Sequence, residues 1–486
     1  MKKQVLQAKD LAKSLKDDKN NPEKLSILKK HLDYVGSGFC LAKWTQVTTH
    51  LGSGITHSCH HVGAHKIKLD ELEKDPSALH NTEFKKERRQ EMLNGQRPVE
   101  CDYCWRIEDN TNHFSDRITK SIQNWSLPYL HDIMLSKGDE NIYPKYVEIS
   151  FSNVCNFKCA YCGPAFSSKW TEEVKEKGAY KFTDQKGNKR EFGFIDPNEV
   201  QYLEREHNPY IDAFWKWFPE AVEHMHVFRI TGGEPLLSKH TMKVIDYLLD
   251  NPQPNLEFAI NTNACPPDKI WKRFIKKVND LIENNCIKTL TVFTSAEAKG
   301  KQNNYIRFGM DYDLWLSNLQ MLLRSTKKVK LSIMCAVNML STTTLHLLIK
   351  DIQKLRKDMQ SRKNESNINI DFAYVRNPKF LDIRITPKKL LDEYVQRILK
   401  GLEHDTEEVR NERNPNHQWM IETEKFLRIY NSVNTLQNKA DPKELEVTRY
   451  NFVEYITEYD KRKSTSFKDT FPEFAPYFDE WAFVNV

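Results

Sequence analysis

The chain has 486 residues, enough for two to three domains and ample core. Its 73 basic and 67 acidic side chains nearly cancel to a net charge of +6, which is no argument for a nucleic-acid partner. A mean hydropathy of −0.68, and no apolar run near the ~18–20 residues of a membrane span, argue against a membrane protein.

The start, Met1-Lys-Lys-Gln-Val5, lacks an apolar core region, so an unexported, cytoplasmic chain is expected. In that setting the ten cysteines are read as metal ligands before disulfides. Residues 1–35 are Lys-rich with a broken helical pattern (Val5, Leu6, Leu11, Leu15, Leu25, Leu28, Leu32). They read as a solvated or partner-contacting helical arm, with Asp and Glu interleaved among the lysines.

Residues 36–110 carry Cys40, Cys59, Cys101 and Cys104. Trp44-Thr-Gln-Val-Thr48 and Gly54-Ile-Thr-His-Ser58 predict a β-hairpin turning at Leu51-Gly-Ser-Gly54. The hairpin brings Cys40 near Cys59, and Cys101-Asp-Tyr-Cys104 can complete a four-thiolate site. Such a site suits tetrahedral zinc or a fully ligated [4Fe–4S] cluster, and spacing does not choose between them. His57, His60, His61 and His65 keep a mixed Cys/His zinc site open. Residues 111–145 read as a linker with helical stretches.

Tyr146-Val-Glu-Ile-Ser-Phe151 alternates apolar and polar residues and predicts a strand. It leads into Cys155-Asn-Phe-Lys-Cys159-Ala-Tyr-Cys162, a C-x₃-C-x₂-C loop of three thiols. Three thiolates on so short a loop can converge on one centre. A four-iron cubane held by three cysteines leaves one iron open for a substrate or cofactor. A helix is predicted from Ser168. Residues 178–210 are polar and poorly periodic; they read as an insertion, a passive surface loop rather than a lid or partner surface.

The second core strand, Met225–Thr231, runs into Gly232-Gly-Glu-Pro235. Glycines allow a ligand close to the backbone, and the glutamate adds an anion beside it. Further strands are predicted at 256–263, 288–295, 329–338 and 368–375, with helices at 268–284, 311–324 and 342–360. This alternation implies a parallel sheet with right-handed crossovers. Ligands then bind at the C-terminal strand ends, where Glu234, Asn263, Ser295 and Asn338 stand. Helices are predicted at 388–402, 417–437 and 448–462, followed by an aromatic tail ending at Val486, whose Phe471, Phe474, Tyr477 and Phe478 are expected to dock rather than face solvent. Cys286 and Cys335 read as buried structural thiols.

The C-x₃-C-x-aromatic-C loop after a first strand, with GGEP about 70 residues later, resembles the radical S-adenosylmethionine (SAM) superfamily. The resemblance implies an α/β fold, an open (β/α)₆ partial TIM barrel over residues 146–386, with a small N-terminal cysteine-rich module and a C-terminal helical cover (387–486). It implies that Cys155, Cys159 and Cys162 hold a [4Fe–4S] cluster whose open iron is chelated by SAM. Gly232, Gly233 and Glu234 would orient the SAM ammonium, and Asn263 and Ser295 would meet its carboxylate and ribose. Arg307 would pair with the carboxylate, and Tyr161 would pack beside the cluster or adenine. A low-potential donor such as flavodoxin or ferredoxin would supply an electron, SAM would break to a 5′-deoxyadenosyl radical, and the radical would take hydrogen from substrate.

The flanks of the loop, and Cys40-x₁₃-Gly54-x₄-Cys59, resemble the branch with SPASM or twitch auxiliary clusters. That implies a second [4Fe–4S] cluster on Cys40, Cys59, Cys101 and Cys104, with zinc as the lesser choice, and a peptide or protein substrate ahead of a small molecule. Here the module precedes the core, where the family usually places it after. The competing reading is a zinc-containing protein that binds nucleic acid or a partner through the same four cysteines and the basic arm, without radical chemistry.

Overall fold

Strands form where the sequence alternates apolar and polar residues, and the alternation decides which face meets the helices. The computed structural model describes residues 14–15, 21–184, 187–196, 200–326, 328–410 and 418–483. Thirteen strands follow in chain order. The first three are β1 (Gln46–His50), β2 (Ile55–His57) and β3 (His65–Lys66). Then come β4 (Tyr146–Ser150), β5 (Lys158–Cys159), β6 (Tyr180–Thr183), β7 (Lys189–Phe192) and β8 (Val227–Thr231). The last are β9 (Gln253–Asn261), β10 (Ile287–Ser295), β11 (Arg307–Phe308), β12 (Val329–Val337) and β13 (Asn367–Tyr374).

Nine of them form one sheet in the order β13-β12-β10-β9-β8-β4-β1-β2-β3. From β13 to β1 every neighbour is parallel. Helices Lys239–Asp250, Asp268–Glu283, Tyr312–Ser325 and Leu345–Ser361 make the crossovers. The result is an α/β fold with a mostly parallel central sheet. Val147, Ile149, Phe228, Ile230, Phe258, Ile260, Leu290, Val292, Leu331 and Ile333 are fully buried in the main core, on the face the helices cover. The intervening positions carry Glu148, Arg229, Asn261, Ser332 and Asn369, a polar inner face.

The predicted hairpin forms between β1 and β2, with Thr48 opposite His57. It is also spliced into the core sheet: β1 pairs in parallel with β4, Gln46 opposite Tyr146 and Thr48 opposite Glu148. Gly54 takes φ +65 at the turn, and a Cβ there would strike the Tyr210 ring.

Two expectations are corrected. The helix Pro22–Val35 is not a solvated arm: Leu25, Leu28 and Leu32 are buried with Phe39, Trp44, Ile118 and Leu130 in a separate core. Residues 1–13 and 16–20 of that expected arm lie outside the described residues. The 178–210 insertion is not a structureless loop. It contains the β6–β7 hairpin, whose Tyr180 is buried against Trp170 and Tyr455. The C-terminal helices Lys388–Arg410, Gln418–Lys439 and Pro442–Lys463 follow, and Phe471 and Phe474 are fully buried, as the docked tail requires. Residues 484–486 lie outside the described residues. Among the described residues no helix is long and apolar enough to cross a membrane.

Candidate functional site

The three-cysteine loop is held from every side by hydrogen bonds to its backbone. Ser168 Oγ accepts from the Cys155 amide at 3.2 Å, and Trp170 Nε1 donates to the Cys159 carbonyl at 3.0 Å. Tyr455 donates to the Ala160 carbonyl at 2.6 Å. Cys159 lies on β5, which pairs with β11 so that Arg307 is its cross-strand partner. Burial pushes all three thiols up, Cys155 to about 12, and the neighbouring thiolates add to the shift on Cys155 and Cys162. Deprotonation of three buried thiols on one loop needs a compensating cation or metal. The donor set, three soft ligands from one loop, fits a [4Fe–4S] cluster with one open corner.

The GGEP loop docks on the cysteine loop. The Gly233 amide donates to Ser152 O at 3.2 Å and the Glu234 amide to Val154 O at 2.7 Å. This approach explains both glycines. Gly232 has φ +132, with Ser152 O 2.7 Å from where a Cβ would stand, and a Cβ on Gly233 would collide with the carbonyls of Asn153 and Val154. Glu234 is 1% exposed. Its carboxylate accepts from Asn263 N at 2.6 Å, Thr262 Oγ1 at 2.8 Å and Leu236 N at 3.0 Å. Burial nevertheless outweighs these bonds and pushes its carboxyl up to about 7. Asn263 Nδ2 in turn donates to Asn156 Oδ1 at 2.6 Å, so the end of β9, the GGEP loop and the cysteine loop form one network.

Other expected residues divide. Ser295 ends β10, half-buried and opposite Met334 of β12. Asn338 is fully buried and caps a short turn, accepting from Leu340 N and paired with Ser341. Arg307 is committed to protein partners. It donates from Nε to Glu297 Oε2 at 2.8 Å, from Nη2 to Glu297 Oε1 at 2.7 Å and Tyr161 OH at 2.5 Å, and from Nη1 to Cys159 Sγ at 3.7 Å. Tyr161 OH donates to Glu297 Oε1 at 2.8 Å.

The second set of cysteines, from three separated segments, lines one cavity. Cys40, Cys59, Cys101 and Cys104 share it with Lys43, Arg117 and Lys120. Burial raises all four thiols, Cys101 to about 12 and Cys104 to about 11, and Cys40 also feels the other three. Lys43 is raised as well: burial alone would lower its ammonium, but Cys101, Glu100 and Cys40 outweigh it. Four thiolates beside a buried cation fit a fully ligated four-iron cluster or a tetrahedral zinc. Of the four histidines only His61 reaches the cavity wall, stacked on Tyr103 at 3.9 Å. His57 bonds the Cys59 carbonyl, His65 bonds Thr82, and His60 lies 3.8 Å from Glu148. Among the described residues no three His, Cys, Asp or Glu side chains are gathered as around a single metal ion.

Two features were missed in the sequence. Glu297, fully buried, lies two residues beyond Ser295, where continuing the strand alternation past 293 and 295 would have flagged it. Arg229, on the inner face of β8, donates to Asn261 Oδ1 at 2.9 Å, sits 3.7 Å from Glu148 and stacks over Phe293. It borders a cavity of about 300 Å³ lined by Tyr146, Glu257, Thr291 and Trp125. The signal available was its place between Phe228 and Ile230, a charge in a strand.

Residues 149–340 match the model of the radical SAM superfamily. The match runs from β4 to just past β12; members of that superfamily are enzymes that bind a [4Fe–4S] cluster and SAM for radical chemistry. No curated protein and no solved structure matches the chain.

Proposed function

We propose that the chain is a two-cluster radical SAM enzyme of the SPASM/twitch type, acting on a peptide or protein side chain in the cytoplasm, with flavodoxin or ferredoxin as electron donor. Cys155, Cys159 and Cys162 hold the SAM-binding [4Fe–4S] cluster. Cys40, Cys59, Cys101 and Cys104 hold a second [4Fe–4S] cluster. When bound, the first cluster and SAM supply a 5′-deoxyadenosyl radical that takes a hydrogen atom from substrate. The protein's part is position and exclusion of water. The Gly232–Gly233 backbone and Glu234 receive the SAM ammonium, and Asn263 and Ser295 face the rest of the cofactor from the strand ends.

One observation carries the two-cluster reading: four cysteines from three segments line one cavity, two of them, Cys40 and Cys59, flanking a hairpin whose β1 pairs with β4, the strand that leads into the radical-generating loop. Two longer-range pairings support a sheet curled into an open (β/α)₆ barrel with the module across its gap. Arg229 on β8 is held protonated, against its burial, by Glu148, Tyr146 and also Asp371 of β13. Tyr103, between the last two cysteines, is within electrostatic reach of Arg376, just beyond β13.

Metal analysis of anaerobically reconstituted protein tests this. About eight irons per chain, two four-iron clusters, is expected. About one zinc with no SAM cleavage under dithionite would support the zinc-binding reading instead.

A further inference from the structure

Arg307 occupies an unusual position for a residue expected to hold a substrate carboxylate. Its guanidinium is 10% exposed as a side chain, and Glu297, its partner, is not exposed at all. Nε and Nη2 are taken by the two oxygens of Glu297, and Nη2 also by Tyr161. The remaining nitrogen, Nη1, points at Cys159 Sγ. The backbone fixes this aim: Arg307 and Cys159 are paired across β11 and β5, and Ala160 N donates to Ile306 O at 2.7 Å. Glu297 is itself anchored, its carboxylate taking Tyr161 OH and the Ala336 amide at 3.4 Å. The C-terminal helix seals the assembly, with Tyr459 OH donating to Tyr305 O at 2.8 Å, two residues from Arg307.

We infer that Arg307 is a positioning residue for the cluster rather than a SAM contact: held by Glu297 and Tyr161, it donates a charge-assisted hydrogen bond to the Cys159 thiolate and raises the cluster's reduction potential. This rests on the reading of Cys155, Cys159 and Cys162 as cluster ligands. The physical reason is that reduction adds negative charge to the cluster and its sulfurs. A fixed cation and an N–H···S bond stabilise the reduced state more than the oxidised one. Glu297 opposes this through its own charge, so the two members of the pair act on the potential with opposite signs.

That sign difference supplies the test. The full-length protein is reconstituted anaerobically, and the EPR-active cluster whose signal changes on adding SAM is titrated in SAM-free samples. Arg307→Met is expected to shift its midpoint to lower potential and Glu297→Gln to higher potential, with Tyr161→Phe, which keeps both charges, between wild type and Arg307→Met. SAM affinity is followed by equilibrium dialysis in the same variants. If Arg307→Met misfolds, Glu297→Gln still decides, provided its melting temperature and cluster EPR line shape match wild type, since water let in by lost packing would also raise the potential. An unmoved SAM-free potential in Glu297→Gln overturns the inference, and so does an unmoved potential in Arg307→Met with SAM binding lost. Wild-type protein that assembles no SAM-responsive cluster fails earlier, at the ligand assignment, and overturns both.

Discussion

Tyr455, on the last long helix, donates its hydroxyl to the carbonyl of Ala160, between the second and third cysteines of the loop, at 2.6 Å. Ala160 is fully buried and Tyr455 is 2% exposed, so no water can take over this bond. An element some 300 residues downstream thus fixes the backbone that presents two metal ligands. Tyr455→Phe leaves a buried carbonyl unpaired and should cost about 1–3 kcal/mol. Thermal melts should show the loss, and the 400 nm absorbance of the reconstituted variant should bleach faster in air than wild type.

The same helix ends in a buried charge cluster. Lys463 Nζ contacts both oxygens of Glu173 at 2.9 and 3.0 Å, Lys158 reaches the same carboxylate at 2.6 Å, and Tyr180 OH donates to it at 2.7 Å. Burial alone would raise this carboxyl, but the hydrogen bonds and the two ammonium groups hold it at about 2, below its ordinary 4.5. The native state therefore binds fewer protons than the unfolded chain between these values. Its stability contribution is complete above about pH 4.5 and is lost as pH falls towards 2. Glu173→Gln strands buried Lys463 and should cost about 3–5 kcal/mol at pH 7. The gap in melting temperature between wild type and variant should narrow as pH falls from 5 to 3.

Glu234 is shifted in the opposite direction, so its pH dependence falls in a higher range. Burial holds its carboxyl at about 7, so it is neutral below that pH and anionic above it. Only the anion attracts an ammonium group. SAM binding to wild-type protein, followed by equilibrium dialysis from pH 6 to 8.5, should tighten by up to about tenfold per unit below pH 7 and then level off. Glu234→Gln should bind SAM weakly without that step.

Gly233 tests the docking of the two loops. A Cβ there meets the backbone carbonyls of Asn153 and Val154, which cannot yield as a flexible side chain can. Gly233→Ala should cost about 1–3 kcal/mol through overpacking. It should also weaken SAM binding, whereas Gly163→Ala, with open space around it, should do neither.

Much of this architecture was legible locally. Period-2 stretches such as Thr289–Ser295 and helical stretches such as Ile270–Leu281 fixed the alternation of strands and helices to within a few residues. The hairpin turn at 51–54 was readable from its two glycines, and the loop of Cys155, Cys159 and Cys162 from its spacing. What was hidden depends on partners far away in sequence. That Gln46 would pair beside Tyr146 in parallel has no local signature, because parallel register is chosen across a hundred intervening residues. Tyr180 and Phe182 alternate on β6, but the lysines around them mask a hairpin whose apolar side is completed only by Phe380 and Tyr455. Glu297 stands just past the end of β10, and its reason for burial, Arg307, lies on β11 beyond an intervening helix.

The central claim is that Cys155, Cys159 and Cys162 hold the cluster that cleaves SAM. The most direct measurement is 5′-deoxyadenosine formation from SAM by anaerobic, dithionite-reduced protein, wild type against Cys159→Ala, each reconstituted with iron and sulfide. Wild type is predicted to release 5′-deoxyadenosine and Cys159→Ala to release none while still assembling the Cys40, Cys59, Cys101 and Cys104 site. Continued formation of 5′-deoxyadenosine by Cys159→Ala would contradict the account.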